Sequence, residues 1–328
     1  MAISQLETIL SSFFAIKPAA ITPVRGGFST KAAYRVTGTD GMEYFVKVYD
    51  KTLPTTRAAV GRIDVYMPAL RWLSEEPSLR GRVLTPVRTK NGGYKAETDD
   101  EAYVIFHYVN GFMPGINGMT VTQTEELAET LAHLHIAGET YPDTSEGLNE
   151  DLSLPFCGEL LVFLDRTPLQ NGALRGIVSP HAQLLRSAAK EALRLRYTLR
   201  RGYTPLVLCH GDAHGNNVLQ SDRLVLADWE DLRRAPAEAD LFIYDWHPHG
   251  DVLLKTYTEK RPGFQLNQNL LHYYVLRRRI EDVWVDIQRL TEEEPAADEK
   301  EKLLRYIRLG IENVERVYSR IHTLCLLA

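Results

Sequence analysis

Residues 209–219 read CHGDAHGNNVL, and after QSDR the chain continues LVLADWED to Asp231. No other stretch constrains the fold as tightly, because side chains that handle protons and cations stand between apolar runs. PLVL (205–208) precedes them, and NVLQ (217–220) and LVLAD (224–228) follow; all three have the texture of short strands. Ser221 and Asp222 are turn residues, so the last two runs predict a hairpin. A hairpin brings its ends together. Asn217 and Asp228 would therefore lie side by side, with Asp212 on the adjoining loop. An amide oxygen and a carboxylate suit Mg²⁺, which fills the rest of its shell with water and phosphate oxygens. Asp212 is then the carboxylate left to accept a proton.

Upstream the texture differs. Strand-like runs at 19–24, 32–38 and 43–49 are separated by turn signals at 25–30 and 39–41, which predicts short antiparallel strands. A helix is expected over 56–75, with Pro68 as a kink or interruption, followed by a hairpin from 92–97 to 101–109. Beyond NGFMPGING (110–118) the pattern turns helical. Thr122 and Glu125 have capping-box spacing ahead of ELAETLAHLH, and Gly138 is a plausible stop. Further helices are expected over 180–200, 265–290 and 297–320, the last with Leu303, Ile307, Ile311, Val314 and Tyr318 as its apolar stripe. These expectations give an α+β chain, with a small sheet-rich N-terminal lobe (1–110) before a larger helical C-terminal lobe (111–328).

The sheet-rich part supplies groups that complement the 209–231 segment. Gly26 and Gly27 would let a backbone turn approach phosphate, with Ser29 and Thr30 as donors. Lys47, on the third strand, can reach phosphates if an acid holds it, and Asp64 on the following helix is the expected acid. The backbone of His107, Tyr108 and Val109 falls at the junction of the lobes, where it would face an adenine edge.

His210, Asp212 and Asn217 keep the spacing of the protein-kinase loop H-R-D-x-x-x-x-N, with Gly211 replacing the arginine. Together with L-A-H-L-H (131–135) and D-W-E-D-L-R-R-A-P-A-E-A-D-L (228–241), residues 210–219 resemble the aminoglycoside phosphotransferase family, in particular its spectinomycin-modifying branch. The resemblance covers most of 20–245. It implies a protein-kinase-like two-lobed fold, ATP (GTP being possible) with Mg²⁺ on Asn217 and Asp228, and Asp212 as catalytic base. The implied acceptor is a small hydroxylated cation, an aminoglycoside or aminocyclitol, and antibiotic resistance is one possible consequence. His214, Glu230 and Asp231 are the candidates for contacting it, while Asp240 reads as a helix anchor and 245–251 as either pocket lining or loop.

Three alternatives stay open at this stage, one of them a binding module that keeps the fold without turnover. Choline, homoserine and sugar kinases share close variants of the same motif. His210, Asp212 and His214 are also competent ligands for a metal-dependent hydrolase, although that leaves Lys47 and the glycine turn unexplained. A net charge of −5 gives no basic face for nucleic acid. No apolar run is long enough to span a bilayer, no basic leader precedes Glu7, and the three cysteines are scattered, so a cytoplasmic protein without disulfides is expected. Nothing in the pattern sets an oligomeric state.

Overall fold

The computed structural model describes residues 3–24, 26, 30–115, 117–142, 146–165, 172–201, 205–293 and 295–327. Packing groups the chain into two compact units. One comprises Met1–Asn149 with Leu206–Phe264, the other Glu150–Pro205 with Gln265–Ala328.

The first unit opens with α1 (Ile3–Phe13) and a sheet of β1 (Pro18–Val24), β2 (Ala32–Gly38), β3 (Glu43–Asp50), β4 (Lys95–Glu97) and β5 (Glu101–His107). The strand order is β1-β2-β3-β5-β4 and every pairing is antiparallel. Alternation along β3 sets its two faces. Tyr44, Val46 and Val48 join Leu6 and Leu10 of α1 in an apolar cluster, which turns Lys47 and Tyr49 to the opposite side. Being central, β3 buries Lys47 to 6% exposure.

Helix α2 (Pro54–Glu75) begins with proline at its first turn and runs through Pro68 without a break. The expected interruption is absent; Pro68 removes only one intrahelical donor. Helix α3 (Val121–Gly138) starts two residues before the expected box. Its N-cap is Thr120, whose side chain and the Gln123 side chain bond each other's backbone N–H. Both spacings fit the motif. Gly138 does end the helix, at a close approach: a Cβ there would lie 2.4 Å from the Leu208 nitrogen.

Three helices of the second unit follow in the chain: α4 (Pro155–Asp165), α5 (Gly172–Val178) and α6 (Ala182–Arg201). The chain then returns to the first unit through β6 (Val207–Cys209), β7 (Val218–Gln220), β8 (Leu224–Leu226) and β9 (Arg233–Ala235), then α7 (Glu238–Leu241) and α8 (Gly250–Lys260). β7 and β8 form the expected hairpin, with Val218 opposite Leu226, and β6 pairs with β9. Finally α9 (Gln268–Glu292) and α10 (Ala297–Leu327) return to the second unit, where Ile280, Val283 and Ile287 of α9 and Leu303, Ile307, Ile311 and Val314 of α10 are buried. No helix among the described residues is long and apolar enough to cross a membrane.

Candidate active site

The hairpin places its two ends as the sequence predicts: the Ala227 amide donates to the Asn217 carbonyl oxygen at 2.9 Å, which sets Asp228 beside Asn217. The Asn217 side-chain nitrogen donates to the Asp212 carbonyl oxygen (2.8 Å) and to Asp212 Oδ2 (2.9 Å). With its nitrogen committed to Asp212, the amide presents its oxygen as the end that can meet a cation. Asp228 adopts a left-handed backbone, φ 62° and ψ 62°, a region an aspartate tolerates better than most residues. Its side chain is 35% exposed. An amide oxygen and an accessible carboxylate on adjacent residues are a donor set that fits Mg²⁺.

Lys47 reaches this place from the sheet. Its ammonium donates to Asp228 Oδ1 at 2.8 Å and to Glu230 Oε1, across 181 and 183 residues of sequence. Tyr49, two residues along the same face of β3, donates its hydroxyl to Glu230 Oε1 at 2.6 Å. Burial works against the Lys47 charge, but the carboxylates of Asp228 and Glu230 outweigh it and the pKa is raised. Lys47 therefore stays cationic in the interior.

Asp64 is not its partner. That carboxylate pairs with Lys95 at 3.2 Å and is 59% exposed. It lies on the part of α2 facing β4, whereas the turn after β8 brings two acids to Lys47 directly. Glu230, expected to meet a cationic substrate, is instead occupied by Lys47 and Tyr49.

The loop that carries Asp212 is held by Asp240, which the sequence offered only as a helix anchor. Asp240, fully buried, accepts from the His210 amide (2.8 Å), the Gly211 amide (2.5 Å) and His135 Nε2 (2.9 Å). His135 Nδ1 meets the Tyr257 hydroxyl at 2.6 Å, and Arg261 donates to that hydroxyl at 2.8 Å. Facing a carboxylate, Nε2 carries the hydrogen, so Nδ1 accepts from Tyr257. Burial alone would raise the Asp240 pKa, but the His135 hydrogen bond and the nearby His210 and Gly211 groups outweigh it, and the net shift is downward. The ionised carboxylate is the form this network binds.

His210 spends both ring nitrogens on backbone. Nε2 donates to the Ala227 carbonyl at 2.8 Å and Nδ1 accepts the Asp212 amide at 3.2 Å. His214 accepts the Asn216 amide on Nδ1 at 3.2 Å, and its Nε2 lies 3.4 Å from Asp212 Oδ2. His210 thus has no ring nitrogen left for a metal shared with Asp212 and His214, which removes one of the three ligands the hydrolase alternative needs.

Asp231 is 46% exposed and lies against Gly211, where an added Cβ would come 3.0 Å from the Asp231 Cβ. Of the phosphate-turn residues, Gly27 and Ser29 fall outside the described residues. Gly26 packs on Thr30, whose methyl would lie 2.9 Å from an added Cβ. At the end of β5 the His107 amide donates to Thr85 and the Tyr108 amide to Glu43, so two of the backbone N–H groups expected to face an adenine are bonded within the protein. In the 245–251 segment, His247 is buried with Nε2 3.5 Å from the Met119 sulfur, and burial lowers its pKa to about 4.

The sequence model of the phosphotransferase enzyme family matches residues 20–280 of this chain. No curated protein matches the sequence. Among solved structures, spectinomycin phosphotransferase APH(9)-Ia in complex with ADP and spectinomycin is similar at TM-score 0.71 and 17% identity, covering 96% of this chain and 98% of that one. Amicoumacin kinase in complex with AMP-PNP, Ca²⁺ and its ligand is similar at TM-score 0.65 and 14% identity (95% and 94% covered). A microcompartment-associated aminopropanol kinase is similar at TM-score 0.62 and 16% identity (97% and 98% covered). The fold is α+β, as the order of strands and helices implied, and protein-kinase-like, as the resemblance implied.

Proposed function

Because the chain belongs to the phosphotransferase enzyme family and is a small-molecule phosphotransferase, we propose that it moves the terminal phosphoryl group of ATP to a hydroxyl of a small cationic molecule, with an aminocyclitol of the spectinomycin kind as the first candidate. The observation that carries this reading is the contact of Lys47 with Asp228, which joins the expected phosphate-gripping cation to the expected metal ligand. The site uses elements from both sides of Asn110–Gly111, the boundary expected between the lobes. A cytoplasmic location, where ATP is supplied, goes with this reading.

In this mechanism Lys47 and the 25–30 turn hold the nucleotide phosphates, and the β5 exit takes the base. Asn217 and Asp228 would hold Mg²⁺, whose contribution when bound is to neutralise charge on the phosphate oxygens. Asp212, steadied by the Asn217 amide, orients the acceptor hydroxyl and accepts its proton as the new O–P bond forms. His214 beside Asp212 and the exposed carboxylate of Asp231 are placed to meet acceptor groups. Catalysis then rests on positioning and charge complementarity.

The test is nucleotide consumption, with ATP and GTP in parallel, across spectinomycin, aminoglycosides, aminopropanol, choline, homoserine and sugars. Phosphate transfer to an amine-bearing alcohol is expected. Asp212→Ala should abolish transfer while leaving nucleotide affinity close to wild type. Turnover retained in that variant rejects the role of Asp212, and a preference for a neutral sugar rejects the cationic acceptor.

A further inference from the structure

In a site built as described above, Asp228 has two claimants. It binds Lys47 at 2.8 Å, and the proposed mechanism asks it to hold a divalent cation. Were Asp228 the sole partner of Lys47, its transfer to a cation would leave a buried ammonium without a fixed carboxylate, which is costly and leaves the side chain poorly aimed. The turn Asp228–Trp229–Glu230 supplies the remedy. The left-handed backbone at Asp228 starts a single 3₁₀ turn, and both acids of that turn contact Lys47. Between them, Trp229 is buried at 1% exposure, with its indole N–H on the Leu226 carbonyl at 2.9 Å and its ring against His210. The turn is therefore fixed from below.

Glu230 is fixed from the sheet as well. Tyr49 donates to the same Oε1 that Lys47 contacts. Tyr49 is 1% exposed, its ring centroid lies 5.2 Å from the Lys47 nitrogen, and the buried Tyr66 of α2 interacts with it. Helix α2 thus presents a phenol here, while its acid Asp64 is turned to Lys95.

Resting on the phosphotransferase reading, we propose that Glu230, held by Tyr49, is the positioning residue that keeps Lys47 aimed at the nucleotide phosphates once Asp228 is engaged by metal. The lysine is registered by the turn that also carries the metal-binding carboxylate, and an acid from helix α2 is not required. Glu230 acts through Lys47 and touches neither the acceptor nor the reacting atoms.

Calorimetry on the full chain tests this with three probes: ATP with Mg²⁺, ATP with EDTA, and adenosine, which lacks phosphates. Loss of a hydrogen bond to a charged group corresponds to a change of about ten- to hundredfold. Glu230→Gln is expected to weaken ATP by that factor with metal and by less without it, where Asp228 still holds Lys47, and to leave adenosine within about twofold of wild type. Tyr49→Phe should move ATP in the same direction by a smaller factor, and it carries the test if Glu230→Gln does not fold. Lys47→Met/Glu230→Gln should bind ATP no more weakly than Lys47→Met alone. Three results overturn the proposal: unchanged ATP affinity in the presence of Mg²⁺; a further loss in the double variant relative to Lys47→Met, which makes Glu230 a metal ligand or an independent contact; or an equal loss of adenosine, which makes the role structural. A wild-type protein that binds no nucleotide refutes the phosphotransferase reading itself, a separate outcome.

Discussion

Replacing Asp240 by asparagine tests whether the catalytic loop is held by a buried charge. The substitution keeps shape and volume but not the pattern of acceptors. Asp240 Oδ2 receives the His210 amide and His135 Nε2, and Oδ1 receives the Gly211 amide. Whichever way the new amide is turned, its NH₂ faces at least one backbone N–H. One bond to a charged acceptor is lost, at about 1.5–3 kcal/mol, and a buried donor is left unpaired, at about 1–3 kcal/mol. The sum, roughly 2.5–6 kcal/mol, spans what breaking one side of a buried ion pair costs. At about 2–4 °C per kcal/mol the melting temperature should fall by roughly 5–24 °C.

The pH dependence gives an independent check. The folded-state pKa of Asp240 lies below its ordinary value. Its contribution is therefore fully present above the unfolded-state value of about 3.9 and is lost as pH falls through the folded value. The gap in melting temperature between wild type and Asp240→Asn should hold steady from about pH 5 to 7 and narrow below about pH 4. Activity at 20 °C should show a lowered kcat with a nearly unchanged nucleotide KM, because the loop carrying Asp212 loosens while Lys47 does not. Melting within about 2 °C of wild type, with kcat intact, would falsify the view that Asp240 carries this loop.

Other perturbations have equally direct readouts. Gly211 has φ 87°, and an added Cβ would lie 2.8 Å from both the Asp231 carbonyl oxygen and the Arg233 guanidinium; Gly211→Ala should therefore destabilise the fold by at least about 1–3 kcal/mol, measured by thermal unfolding. Asp228→Ala should remove the Mg²⁺-dependent increment of ATP affinity in calorimetry and leave metal-free binding, which Lys47 and Glu230 support, largely in place. Thr120→Ala deletes the side-chain half of the α3 capping box and should cost about 1 kcal/mol, seen as a small fall in melting temperature with kcat unchanged.

The parts of this molecule that were legible in the sequence are those set by local periodicity. β1, β2, β3 and the β7–β8 hairpin follow from short apolar runs between turn residues, so the adjacency of Asn217 and Asp228 could be read directly. The parts that were not legible depend on how elements meet. Asp64 has helix spacing but no signal for which strand its face meets, and it meets Lys95. Glu230 looks like one of several acids in a polar run until the left-handed residue before it turns it to Lys47. His135 sits within an apolar helix pattern, and only the packing of α3 on β6 brings it to Asp240.

These misreadings share one cause, and it bears on how the site works. A protein kinase uses an acid on a separate helix to hold its lysine, and the arginine of its catalytic loop is the usual partner of an activation-loop phosphate. Here glycine replaces that arginine, and an added Cβ at Gly211 would meet the Arg233 guanidinium from β9 at 2.8 Å. The acids that contact Lys47 or the 210–217 loop, Asp228, Glu230 and Asp240, lie within thirty residues of Asp212 in one continuous segment, braced by Tyr49 of β3 and His135 of α3. A site whose acids come from this segment needs none from α2. Its competence should then depend on the stability of the 210–240 segment, which is why the Asp240→Asn experiment, aimed at an anchor with no place for substrate, is expected to change kcat.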